Sequence, residues 1–211
     1  MMNDTDNISI QTLRILAKSC PSAKIFYEEL FCNSYDDFVK NVYSNLEDCI
    51  NIIEEDAKVR SNDGEDRLST EIITFFKGRG YVASRDEMIK GGHTDLVLKK
   101  NNYKWLGEAK IHSGYDYLVK GFNQLCTRYS SGTENCSQGA LIIYVRVKDA
   151  KSVIDNWKAK IQSEALPEYS EEDCEVRGKL SFYTTHKHVS SGLPYKVKHV
   201  AVVLHFDPKD K

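Results

Sequence analysis

No apolar run in this sequence is long enough to cross a bilayer. The longest, around Gly139 to Val145 and Val200 to Phe206, fall far short of the roughly 20 residues a membrane helix needs, so no membrane partner is expected. The six cysteines include no Cys-x-x-Cys pair, and no histidine stands at zinc-finger spacing from them; neither a disulfide framework nor a structural zinc site is supported. A charge excess is also missing. The net charge is −2, and such a balance announces no nucleic-acid binder. The opening residues, MMNDTDNIS, carry acids where a secretory leader carries basic residues, and no apolar segment with a small-residue cleavage site follows. A cytoplasmic protein with reduced thiols is the expectation.

What is present is ordinary globular material, 41% hydrophobic and 28% charged over 211 residues, enough for a buried core. Residues 8 to 57 read as three helices. The third places Phe38, Val42, Leu46, Cys49, Ile50 and Ile53 on one stripe. The polar segment Val59 to Glu65, with Ser-Asn-Asp-Gly as a turn signal, marks the expected boundary between a helical accessory subdomain (1–58) and a second domain (62–211). That domain reads as a helix with Leu68, Ile72, Phe75 and Phe76 on its apolar face, then strands 81–86, 94–100 and 103–111, a helix 115–129, a strand 139–146, a helix 149–163 and strands 179–186 and 195–206. The order predicts an α/β or α+β fold, a mixed sheet with helices packed on it. Pro167 and the acidic run Glu171 to Glu175 are expected in a loop.

The informative segment is GGHTDLVLKKNNYKWLGEAKI, Gly91 to Ile111. Asn tolerates the positive φ that a two-residue hairpin loop requires. If Asn101 and Asn102 form that loop, residue 100 pairs with 103, 98 with 105 and 95 with 108. Asp95 then opposes Glu108, with Cβ atoms about 5 Å apart, where like charges repel. A shared divalent cation would offset that repulsion. Alternation along the strand brings Lys110 to the face of Glu108, whereas Leu96, Leu98, Trp105, Ala109 and Ile111 take the other face. Two carboxylates, an ammonium and a metal ion suffice for phosphodiester hydrolysis.

Asp95, twelve intervening residues and then Glu108-Ala109-Lys110, on a hairpin between two helices, resembles the PD-(D/E)XK nuclease superfamily. The resemblance covers about residues 65 to 146 and implies a restriction-endonuclease-like core. It further implies cleavage of nucleic acid, usually DNA, with Mg²⁺ or Mn²⁺, in a setting such as restriction or anti-phage defence. Asp95 and Glu108 would then be metal ligands with the Ala109 carbonyl, and Lys110 the catalytic lysine. Thr94 stands where the family name has proline. An additional helix acid, frequent in that superfamily, would be Glu65 or Glu71; both flank the apolar stripe, and Glu71 is favoured. GFNQLCTRY resembles the glutamine-bearing helix of RecB-like members, which nominates Gln124, although Tyr129 follows one residue later than in Gln-x-x-x-Tyr. The other reading of the same fold is a non-catalytic nucleic-acid-binding or assembly module.

Lys120, Gln124 and Arg128 recur at four-residue steps on one helix face, making Lys120 and Arg128 candidate phosphate contacts. Between Val176 and Phe206 there is no acid, so Lys187, Lys196 and Lys198 are expected to contact phosphates as well. His93 and His112 read as solvated loop histidines, and His186 and His188 alternate along a strand without a carboxylate near them in sequence. The N-terminal helices, lacking any such constellation, are expected to serve a protein partner or a homo-oligomer.

Overall fold

The computed structural model describes residues 8–85, 87–89 and 92–210, with the side chains of 87–89 and 92 excepted. The chain forms two compact units, Met1–Tyr43 and Ser44–Lys211. The first holds α1 (Ile10–Leu16), α2 (Pro21–Leu30) and the start of α3 (Tyr35–Glu55). Ser34 and Asp37 open α3 as a capping box: the Ser34 hydroxyl accepts from the Asp37 amide at 3.1 Å, and the Asp37 carboxylate accepts from the Ser34 amide at 3.1 Å. Neither α1 nor α2 buries a residue, and Ile8, Ile10, Ile15 and Phe26 are exposed.

The second unit continues α3 and adds α4 (Ala57–Arg60), α5 (Glu65–Gly78), β1 (Val82–Ser84), β2 (Glu87–Ile89), β3 (Gly92–Thr94), β4 (Leu96–Lys100), β5 (Tyr103–Ile111), α6 (Tyr115–Asn123), a π-helical turn (Gln124–Tyr129), β6 (Gln138–Val145), α7 (Ala150–Ser163), β7 (Ser170–Asp173), β8 (Ser181–Lys187) and β9 (Pro194–Val203). Seven strands make one mixed sheet in the order β1-β4-β5-β6-β9-β8-β7; β2 and β3 pair separately. β6 is parallel to both neighbours. Its sequence GALIIYV is buried throughout, as expected for a central strand covered on both faces. Residue 86, the end of the first expected strand, and Gly91 lie outside the described residues. Among the described residues, no helix is long and apolar enough to cross a membrane.

The mixed α/β architecture is as the sequence predicts, and the domain boundary is not. Segment 59–65 lies inside the second unit, where it closes α4, turns over residues 61–64 and opens α5 at Glu65. Arg146, at the end of β6, donates to the carbonyls of Arg60 and Asp63, and Asp63 N–H bonds Arg60 O at 3.1 Å. The second half of α3 belongs to the same unit. Glu47 pairs with the buried ammonium of Lys198 and with Arg177, and Glu54 accepts from Arg177 and from the Val203 amide at 2.7 Å. A fragment starting near Asn62 would strip these carboxylates from a lysine that is 1% exposed, together with Leu46, Ile50 and Ile53. It should lose cooperative thermal unfolding by circular dichroism, and a sharp wild-type-like melt of that fragment would refute this boundary.

Beneath α6 and α7 the core includes buried histidines. His199 lies flat against Phe182, centroids 4.5 Å apart at 14°. Its Nδ1 accepts from Trp157 Nε1–H at 3.0 Å, which leaves the proton on Nε2, 2.9 Å from the Thr184 hydroxyl. Burial, then His186, lowers its pKa to about 3; burial, then His188, lowers that of His186 to about 4. Both rings are therefore neutral when folded. Their contribution is complete above the unfolded value near 6.5 and is lost as pH falls from there to about 3 for His199 and about 4 for His186, by about 1.4 kcal/mol per pH unit for each ring within its window. Urea midpoints should fall steeply below pH 6, and His199→Gln should flatten that slope while lowering stability at pH 7.5.

Candidate metal and phosphodiester site

The hairpin forms in the expected register: Leu96 pairs with Gly107, Leu98 with Trp105 and Lys100 with Tyr103. Asn101 takes the left-handed conformation, φ 54°, that the tight loop requires. Asp95 is not in the ladder. It forms a bend between β3 and β4, one step beyond Leu96 and on the Glu108 side. Its Oδ2 accepts the Ala109 N–H at 2.9 Å, so a side chain takes over where the β4 backbone ends.

Glu108 and Lys110 project from β5 onto the face covered by α6. They are 1% and 6% exposed, so this is a buried face and not a solvated one. Lys110 Nζ donates to Glu108 Oε1 at 2.6 Å, to the Ala109 carbonyl at 3.2 Å and to Asp95 Oδ2 at 3.4 Å. Its ammonium thus touches all three groups that the sequence nominates as metal ligands. Glu108 Oε2 is buried and, among the described residues, accepts nothing. Burial first, then the charge of Asp95, raises the Glu108 pKa to about 7, against the pull of Lys110. Burial alone would lower Lys110; Asp95, Glu108 and Glu65 outweigh it and hold the ammonium above its usual range.

The helix acid at this site is Glu65, not Glu71. Glu65 opens α5, where an acid suits the helix dipole, and its Oε1 accepts the Ile111 N–H at 2.7 Å. The Tyr117 hydroxyl bonds both its oxygens at 3.1 Å, and Lys110 Nζ lies 3.9 Å from Oε2. Glu71, six residues on, is rotated about 120° around the helix. There Arg60 grips it through Nε at 3.0 and 3.1 Å and through Nη2, which holds its carboxyl below the usual range.

The helix after the hairpin resolves the odd spacing of Gln124 and Tyr129. Residues 124–129 form a π-helical turn, in which i and i+5 come together as i and i+4 do in an α-helix. Gln124 Nε2 reaches the Tyr129 hydroxyl at 3.3 Å. Tyr129 is raised by burial and then by the charge of Glu108, so this pair borders the carboxylates. Lys120, Gln124 and Arg128, with Asp116, Val119, Asn123 and Thr127, line an open groove of about 430 Å³. Lys120 and Arg128 are exposed and, among the described residues, have no acidic partner.

The expected basic surface of residues 176–206 does not exist as such. Lys187 pairs with Glu168 at 2.8 Å and Lys196 with Glu172 at 2.7 Å, and Lys198 is buried on Glu47. Acids distant in sequence neutralise all three. Of the acidic run Glu171 to Glu175, expected in a loop, Glu171 to Asp173 instead belong to the edge strand β7, paired with β8, and Glu175 lies in the turn that follows. His93 is exposed on β3. His112 is not solvated at its nitrogens: both are buried without partners among the described residues, and burial lowers its pKa. His188 spends both nitrogens on Ser130 and on the amides of Ser190 and Ser191.

Sequence reasoning missed Tyr117 and Gly121. A Cβ on Gly121 would lie 2.9 Å from Lys110 Cγ and 3.4 Å from Glu108 Cγ, so α6 rests directly on the site. No short motif signals this contact. Among the described residues, no three Asp, Glu, His or Cys side chains converge closely enough to hold an ion as they stand. A pair of carboxylates with one unused buried oxygen beside a backbone carbonyl is nevertheless an oxygen donor set suited to Mg²⁺ or Mn²⁺. Compared with models of known families, with curated proteins and with solved structures, the chain matches none.

Proposed function

We propose that this protein is a metal-dependent nuclease of the PD-(D/E)XK type. One observation carries the reading: among the described residues, Glu108 is buried with an oxygen that accepts nothing, beside the carboxylates of Asp95 and Glu65 and the ammonium of Lys110. If all four are ionised, the cluster holds two negative charges in excess, which is what one divalent cation neutralises. With the separate β2–β3 pair set aside as an insertion between β1 and β4, the order α5-β1-β4-β5-α6-β6 supports it as well. Asp95, Glu108 and the Ala109 carbonyl would hold Mg²⁺ or Mn²⁺, which when bound supplies an acidified water and charge neutralisation at phosphate. Lys110 faces the same oxygens and donates to charge that develops on the phosphate. Gln124, whose amide nitrogen donates to the Tyr129 hydroxyl, would have its carbonyl oxygen left to accept from a water or a substrate hydroxyl. Glu65 anchors the end of β5 and Tyr117.

The test is cleavage of plasmid, single-stranded DNA and RNA by the full chain with Mg²⁺, with Mn²⁺ and with EDTA. Cleavage that EDTA abolishes is expected; binding without cleavage under every metal would favour a non-catalytic module. Lys120→Glu with Arg128→Glu should weaken nucleic-acid binding and reduce its salt slope by about one unit per charge removed. Lys187→Glu with Lys196→Glu should leave both unchanged, as fluorescence anisotropy across a salt series would reveal.

A further inference from the structure

A second cavity, of about 270 Å³, is lined by Asn102, Lys104, Tyr129, Ser131, Thr133, Asn135 and Cys136. We propose that it holds one unpaired adenine base of a nucleic-acid substrate, an inference that rests on the nuclease reading for its placement beside the cut.

Its walls suit a flat, aromatic, edge-polar group. Tyr129 and Cys136 are buried and give the cavity an aromatic ring and a thiol. The ring is fixed, because Gln124 donates to its hydroxyl at 3.3 Å, and it forms a rigid aromatic wall on one side of the cavity. The polar rim is carried by two carboxamides. Asn102 and Asn135 make no side-chain hydrogen bond among the described residues, whereas Ser131 and Thr133 bond each other at 3.0 Å. A carboxamide offers one donor and one acceptor side by side, the complement of adenine N7 and N6–H₂. The volume falls below the roughly 300–1,000 Å³ of sites for drug-sized ligands, so a base pair is too large an occupant.

Position ties the cavity to the reaction. Lys104 and Glu108 lie on the same face of β5, four residues and so roughly 14 Å apart. That is the span of a few nucleotides at about 3.4 Å rise per strand. A strand with its phosphate at the carboxylates therefore has a flanking base within reach of Asn102 and Asn135.

The experiment has two arms. Titration of the full chain with AMP, GMP, CMP and UMP, followed by NMR of the side-chain amides, should show AMP binding tightest, with shifts at Asn102 and Asn135. Asn135→Ala should weaken AMP about tenfold, and Glu108→Gln should leave AMP affinity unchanged. Sequencing of cut ends from a random single-stranded substrate should show adenine enriched at one fixed offset, lost in Asn102→Ala/Asn135→Ala. AMP binding without cleavage of any substrate would retain the pocket and remove the nuclease reading. Cleavage with unbiased ends and no AMP preference would do the reverse.

Discussion

Glu108→Gln should lower metal-dependent cleavage by about a thousandfold or more without unfolding the protein. The amide oxygen can still accept from Lys110, but the negative charge that draws a cation is gone. Stability should move the other way. The folded-state pKa of about 7, against 4.5 in its absence, means that the wild-type protein gains stability on protonation. The gain is full below pH 4.5 and is lost as pH rises through 7, a difference on the order of 3 kcal/mol. The Gln variant should therefore melt no lower than wild type at pH 8 and lose that advantage at pH 5, where wild-type Glu108 is itself neutral. Between pH 7 and 4.5 this trend opposes that of His199 and His186, so the variant should also show a steeper acid loss. Lys110→Met should suppress cleavage comparably while calorimetry finds Mn²⁺ affinity retained or increased, because a competing cation has left the carboxylates. Wild-type cleavage rates in both variants would sink the assignment.

Gly121→Ala should be harmful in a helix where alanine is ordinarily an improvement. Alanine exceeds glycine by about 1 kcal/mol in a helix interior, yet here the added methyl meets the Lys110 stem at 2.9 Å, and the stem cannot yield without moving its ammonium from Glu108 and Asp95. We expect a net destabilisation of about 1–3 kcal/mol and a drop in cleavage of about a hundredfold. In a Lys110→Ala background the obstruction vanishes, and the same substitution should stabilise. A double-mutant cycle reads this change of sign directly. If Gly121→Ala stabilises with Lys110 intact, α6 does not bear on the site as described.

The hairpin was legible because three signals agree within twenty residues: the alternation that puts Glu108 and Lys110 on one face of β5 and Trp105, Ala109 and Ile111 on the other, the Asn-Asn loop, and Leu96 and Leu98 on the β4 face opposite Asp95; Val97, on the Asp95 face, is buried as well because α6 covers that side. The central strand and the helices around it were equally legible from period alone. What could not be read depends on where distant segments meet. Glu65 and Glu71 stand symmetrically about Leu68, and only the approach of β5 to the start of α5, with Arg60 beside Glu71, separates them. The acid-free stretch looked cationic because its neutralising carboxylates arrive from Glu47, Glu168 and Glu172. The acids Glu171 to Asp173 looked like a loop because edge-strand polarity imitates one. Segment 59–65 looked like a linker because a polar turn held by Arg146 has a linker's composition.

The π-helical turn has a bearing on how such chains are compared. Gln124 and Tyr129 meet across five residues because one wider turn absorbs the extra residue. The same meeting in a relative with a regular helix would take four. A pattern that counts residues would separate two such chains at the point where their side chains coincide. What persists through a one-residue insertion here is an angle around the helix axis, and it is by that angle that distant relatives of this protein would be aligned.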